Sequence, residues 1–165
     1  MKRNILLFIL PAIIVIALDQ VSKLLIVRFI NYHEAVPVID GFFHLVHVRN
    51  RGMAFGFMNR PDNGLIYLLL VITVIVAILV LFYWFYRLRN DRGYSILGIS
   101  FILGGAVGNL IDRIRLKEVI DFLDFFIGRY HWPSFNIADS AITIGALWIA
   151  INVLFLGKPD DRKVK

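Results

Sequence analysis

The sequence predicts an all-α polytopic membrane protein: four transmembrane helices carrying a small extracytoplasmic sheet or hairpin. Three observations predict it. Apolar residues make up 59% of the 165, and mean hydropathy is +0.74. Charged residues are 18%, against roughly 25% in soluble domains. Four separate stretches each supply the ~20 apolar residues that a helix needs to cross a bilayer core. Intrinsic disorder is excluded by so much apolar surface. Zero Cys excludes a disulfide scaffold and any Cys-based zinc, iron–sulfur or thiol chemistry. A net charge of +6 would hint at nucleic acid in a soluble chain. In this one it reads as Lys- and Arg-rich cytoplasmic loops beside anionic lipid, with no nucleic-acid partner. Residues 1–165 read as one membrane-embedded domain.

The first span covers about residues 5–30 and is interrupted by Asp19, Lys23 and Arg28. Lys2 and Arg3 ahead of the run Ile5 to Leu18 imitate a secretory leader. No A-x-A-like cleavage site follows, and apolar character resumes at Leu24-Leu25-Ile26-Val27, so a retained helix is expected. Asp19 and Lys23 stand at i, i+4 with the acid first, the favourable order. They read as a neutralised structural pair in the outer half of the membrane.

The loop of about residues 31–64 contains the β-prone segment Phe42-Phe43-His44-Leu45-Val46-His47-Val48. Asn50-Arg51-Gly52 reads as a turn before the apolar Met53-Ala54-Phe55. Pro61-Asp62-Asn63-Gly64 leads into the second span. His44 and His47 are a weak metal hint, because a spacing of three puts their rings on opposite faces of a strand. No metal and no cofactor is expected.

The second span, about residues 65–86, carries no charge and ends in Phe82-Tyr83-Trp84-Phe85-Tyr86. In the third, about 94–111, Ser100, Gly104 and Gly108 repeat every four residues, a stripe that lets another helix approach closely. Asp112 continues that stripe. Asp112 and Arg113 read as an interfacial ion pair ending the helix, with Asn109 close to both. After an outer loop of about residues 112–136, the fourth span runs over about 137–156 and carries Asp139.

Four spans put both termini on one side. Residues 1–4, 87–93 and 157–165 hold nine Lys and Arg in 20 positions, whereas 28–64 and 112–136 hold eight in 62. That density difference places the termini in the cytoplasm and the two long loops outside.

Charge within a membrane is costly and marks function. Asn136, Asp139, Ser140 and Thr143 share one helix face at i, i+3, i+4 and i+7. An Asn136 N-cap with Asp139 at the third position explains two of them. The stripe reaching Thr143 points to a functional Asp139. Asp121 lies in Val119-Ile120-Asp121-Phe122-Leu123-Asp124-Phe125-Phe126, where a lone carboxylate among aromatics needs a partner. Asp121 and Asp139 belong to the same outer face and can meet; Asp124 can lie either way. Two carboxylates about 3 Å apart share a proton. One then activates a water while the other donates to the attacked carbonyl, which is aspartic peptidase chemistry. Ser22, Ser95, Ser100, Ser134 and Ser140 lack a neighbouring His or Lys arrangement for a nucleophilic dyad.

Five blocks in order carry a family resemblance: Asp19-Gln20-Val21-Ser22-Lys23, Arg49-Asn50-Arg51-Gly52-Met53-Ala54-Phe55, Gly108-Asn109-Leu110-Ile111-Asp112-Arg113, Val119-Ile120-Asp121-Phe122 and Phe135-Asn136-Ile137-Ala138-Asp139-Ser140. The chain resembles the lipoprotein signal peptidases (signal peptidase II), aspartic peptidases of the bacterial inner membrane. The resemblance implies cleavage of signal peptides from prolipoproteins just before a diacylglyceryl-modified cysteine. It implies a catalytic dyad at Asp121 and Asp139. Asn50, Asn109, Asp112, Arg113 and Asn136 become supporting or substrate-binding positions, with Asp19 and Lys23 structural. It also implies a four-helix bundle with an extracytoplasmic β-cradle and a small mobile helix. Ser22 and Met53 depart from the family pattern, where Thr and Ala are common. A lipid-modified prolipoprotein and membrane lipids are the expected partners, and a monomer is expected because one chain supplies both acids. The alternative from another class is a small proton-coupled carrier using paired aspartates. Carriers favour repeats and midplane sites, and this chain has neither. A non-catalytic anchor subunit is the third reading, and it would not need Asn109 and Asn136 beside the acids.

Overall fold

The computed structural model describes residues 2–52, 64–89 and 94–156. Met53-Ala54-Phe55 and Pro61-Asp62-Asn63 lie outside these. The small helix implied by the resemblance is not found among the described residues. In order, the elements are α1 (Lys2–Phe29), β1 (Ala35–Ile39), β2 (Phe43–Asn50), α2 (Gly64–Leu88), α3 (Tyr94–Leu116), β3 (Val119–Ile127), β4 (Tyr130–His131) and α4 (Ile137–Ile151), which widens into a π turn over Asn152–Leu156. All four helices are long and apolar enough to cross a membrane, counting the π turn with α4.

Helix α3 is the most buried and packs against α1, α2 and α4. Its small residues make this possible. Ser100 donates to the Phe8 carbonyl at 2.6 Å. A Cβ on Gly104 would stand 2.8 Å from the Val15 side chain, so the predicted stripe faces α1. A second set, Gly98 and Gly105, lies against α4, where Gly145 answers Gly98. Helix α2 buries only Leu81 and presents Leu68, Ile72, Val76 and Leu79 outward, as lipid contact requires. Phe8 stacks on Phe85 with centroids 4.0 Å apart and tethers α2 to α1.

Helix α3 runs to Leu116, five residues beyond the expected end at 111. Lys117 stops it in a left-handed conformation (φ 60°) and donates its N–H to the Arg113 carbonyl at 2.9 Å. Asp112 and Arg113 are therefore inside the helix. The expected ion pair between them is replaced by a pair between Asp112 and Lys23.

The loops build one antiparallel sheet in the order β1-β2-β3-β4. The β-prone segment expected in the first loop is β2, which forms a hairpin with β1, a strand that sequence reasoning did not single out. Strand β3 comes from the second loop, where the sequence had suggested only an apolar return to the interface. Ile120 and Phe122 of β3 pack on Ile26 and Ile30 at the end of α1. Register shifts by one residue between β2 and β3: Leu45 faces Leu123, but Val48 faces Asp121 and Asn50 faces Val119. That bulge turns Asn50 to the face that carries Asp121. An unbroken register would have put it on the opposite face. His44 packs against Phe126 at 4.4 Å, while His47 reaches the Ile30 carbonyl through Nδ1 at 2.9 Å, so the two rings have separate surroundings.

Candidate active site

Helix α4 begins with a reciprocal cap. Asn136 Oδ1 accepts from the Asp139 N–H at 2.9 Å, and Asp139 Oδ2 accepts from the Asn136 N–H at 3.3 Å. The capping that the sequence suggested is present, and it leaves the other carboxylate oxygen free for a further donor. Asn109 Nδ2 supplies it, 2.8 Å from Asp139 Oδ1. Ser140 and Thr143 spend their hydroxyls on the Asn136 and Asp139 carbonyls, so the lower part of the polar stripe is satisfied within the helix.

Asn136 joins the two acids. Its Nδ2 donates to Asp121 Oδ1 at 2.8 Å, to Asn109 Oδ1 at 3.2 Å and to the Ile120 carbonyl at 3.3 Å. Asn50 Nδ2 donates to Asp121 Oδ2 at 3.1 Å, while Asn50 Oδ1 accepts from the Gly52 N–H. Asp121 and Asp139 thus sit in one amide cage at the wall of a cavity of about 670 Å³, also lined by Asn50, Asn109, Arg113 and Trp132. Asp124 turns elsewhere, with His131 Nδ1 3.0 Å from both its oxygens. Asp112 lies beneath the cavity. It receives Lys23 Nζ at 2.8 Å, Gln20 Nε2 at 3.1 Å and the Ile120 N–H at 3.3 Å. Asp19 pairs with Lys23 at 2.8 Å, so the expected i, i+4 pair is part of a buried triad. Sequence reasoning gave no role to Gln20, which bridges Asp19 and Asp112; a polar side chain in an apolar run was the available signal. It also missed Trp132, whose side chain only the fold brings to the cavity.

Burial pushes the Asp121 carboxyl up to about 7, and the neighbouring Asp139 adds to the rise. Hydrogen bonds from Asn50 and Asn136 and the Lys23 charge oppose it. In an unfolded chain this group titrates near 3.8. As pH rises between the two values, the unfolded chain releases a proton that the folded protein retains. The raised value therefore favours folding fully below 3.8, and that contribution is lost as pH climbs through about 7. Thermal unfolding in detergent, followed from about pH 4 to about pH 8, is expected to show this decline in the unchanged protein and to lack it in Asp121→Asn. Equal pH slopes in the two proteins would contradict the buried, raised carboxyl.

Two carboxylates caged by amides, one on β3 and one at the head of α4, are an arrangement suited to aspartic peptidase chemistry. The family model for signal peptidase (SPase) II matches residues 11–155, and the chain belongs to that family. A lipoprotein signal peptidase of Syntrophus aciditrophicus is 45% identical over 93% of this chain and 96% of its own length. One of Geobacillus thermodenitrificans is 42% identical over 92% and 91%. A bacterial membrane enzyme solved by the in meso method at 2.3 Å superposes with a TM-score of 0.82 at 32% identity, over 100% of this chain and 96% of that one. A second, solved at 1.9 Å, gives 0.79 at 34% identity, over 94% of each. The protein is thus an aspartic membrane peptidase of the signal peptidase II family, and the carrier reading has no support.

Proposed function

We propose that this peptidase removes the signal peptide from diacylglyceryl-modified prolipoproteins at the outer face of the bacterial inner membrane, with Asp121 and Asp139 as its catalytic dyad. Both termini are cytoplasmic in this reading, membrane lipids surround the four spans, and the unit is a monomer. The observation that carries it is the joining of the two acids by Asn136 at the wall of an open cavity. A lipid-modified cysteine holds its scissile bond at the membrane surface. In this reading the head of α4 and the start of β3 lie at that depth.

In the resting state one proton is shared by the pair. Asp139, ionised, takes a proton from water as the water oxygen bonds to the scissile carbonyl carbon. Asp121, protonated, donates to the carbonyl oxygen. The tetrahedral intermediate collapses as the C–N bond breaks: the proton gained by Asp139 passes to the leaving amine, and one hydroxyl of the intermediate returns its proton to Asp121 as the carbonyl re-forms, which restores the starting state. Asn109 and Asn136 hold the carboxylates in place, and Arg113 is a cation at the wall of the same cavity. Asp112 supports from below.

Asp121 donates only while it holds its proton. Cleavage is therefore expected to fall as pH rises beyond about 7. Purified protein in detergent, incubated with a lipidated precursor peptide across pH, tests both proposals. Release of the signal peptide with an alkaline decline near that value is the expected result. No release at any pH would remove the substrate assignment.

A further inference from the structure

The Lys23 ammonium is 2% exposed and donates to Asp19 Oδ2 and Asp112 Oδ2, both at 2.8 Å, and to Asn109 Oδ1 at 3.0 Å. An ammonium has three N–H groups and no lone pair, so every hydrogen is committed. A carboxylate offers an acceptor whichever oxygen faces it. An amide has one accepting end and one donating end, and only the accepting end can meet Lys23. Asn109 must therefore turn its Nδ2 the other way, onto Asp139 Oδ1 at 2.8 Å. Asn136 Nδ2 also reaches Asn109 Oδ1, but its two hydrogens are divided among that oxygen, Asp121 Oδ1 and the Ile120 carbonyl. Lys23 gives Asn109 a hydrogen that no other acceptor contests.

We infer that Lys23 is a positioning residue for the reaction. Acting through Asn109, it keeps a donor on Asp139 and so makes Asp139 the acid that begins each cycle deprotonated. This rests on the dyad proposed above. The triad also grips the backbone beside each acid. Asp19 Oδ1 accepts from the Ala138 N–H at 2.9 Å, one residue before Asp139. Asp112 Oδ2 accepts from the Ile120 N–H, one residue before Asp121. A donor polarised by an ammonium is strengthened along the chain of bonds, which favours the ionised form of its acceptor. The charged groups that share this environment are Asp19 on the same helix, Asp112 and Arg113 from α3, Asp121 from β3, Asp139 from α4, and Arg49 of β2 at the cavity wall, itself paired with Glu118.

The test is the pH profile of kcat on a lipidated precursor peptide for Lys23→Met, Asn109→Ala, the double variant and Asp139→Asn. Lys23→Met is expected to lower kcat about tenfold or more and to move the acid limb to higher pH by about one unit, because the ionised pair has lost its cation and its fixed donor. In the Asn109→Ala background the same change is expected to move the limb by less, because the donor is already gone and only the direct charge of Lys23 remains to be lost, the non-additivity of residues acting in series. An acid limb unmoved in Lys23→Met, or an equal shift in both backgrounds, would overturn the inference. Full turnover by Asp139→Asn would instead overturn the dyad itself. Should Lys23→Met not fold, the charge-balanced Lys23→Met/Asp19→Asn protein takes its place. Failure of both to fold would make Lys23 a purely structural residue and end the proposal.

Discussion

Asp121→Asn and Asp139→Asn are each expected to abolish cleavage, by about a thousandfold or more, in protein that still folds and inserts. Asparagine keeps the shape of the side chain and one accepting oxygen, so the amide cage retains most of its bonds. It can neither take a proton from water nor give one to the carbonyl oxygen. The two losses should be comparable, because each acid needs the other. The double variant should be no slower than either single one, as expected of groups that act as a unit. Asp112→Asn is the control that discriminates between acids. Its carboxylate is engaged by Lys23, Gln20 and the Ile120 N–H. That change should lower thermal stability and leave more turnover than either dyad variant. Complete loss in folded Asp112→Asn, with activity retained in Asp121→Asn, would mean that the wrong pair had been named.

The four spans, the capping of α4 and the convergence of Asp121 and Asp139 were legible because they rest on local signals. Apolar runs, an Asn three residues before an Asp, and carboxylates in apolar surroundings are all read within a few positions. What escaped was non-local. The strand Val119–Ile127 reads as an apolar segment, and only its pairing with Phe43–Asn50 makes it a strand. The bulge that turns Asn50 toward Asp121 depends on the register between segments some 70 residues apart, which no periodicity within either one records. Asp112 was paired with its sequence neighbour Arg113 because a helix end was expected at 111. Once α3 continues to Leu116, the partner is Lys23 on another helix. The stripe of Ser100, Gly104 and Gly108 was visible, but which helix it would meet was not. The second set that seats α4 is spread over two helices.

Gly105→Val is expected to lower activity by about a hundredfold or more, although residue 105 touches no reacting atom. A Cβ at this position would collide with the Ala138 carbonyl oxygen and stand 2.7 Å from Ile142 Cγ1. The first obstacle is helix backbone, which cannot rotate aside, so α3 and α4 must separate. Ala138 is the residue before Asp139, and its N–H is held by Asp19. The displacement therefore acts on the head of α4, where Asn136 spans the two acids. A misplacement of about 1 Å is enough to cost on the order of a hundredfold in rate, and overpacking adds about 1–3 kcal/mol of destabilisation. Gly64→Ala is the matched comparison, since a Cβ there would meet nothing within 4 Å; it should change stability by no more than about 0.5 kcal/mol. Thermal unfolding and precursor cleavage, read on both variants, separate the two cases. Full cleavage by Gly105→Val would mean that α4 can shift without moving Asp139, and that the close seat of the two helices does not set the geometry of the pair.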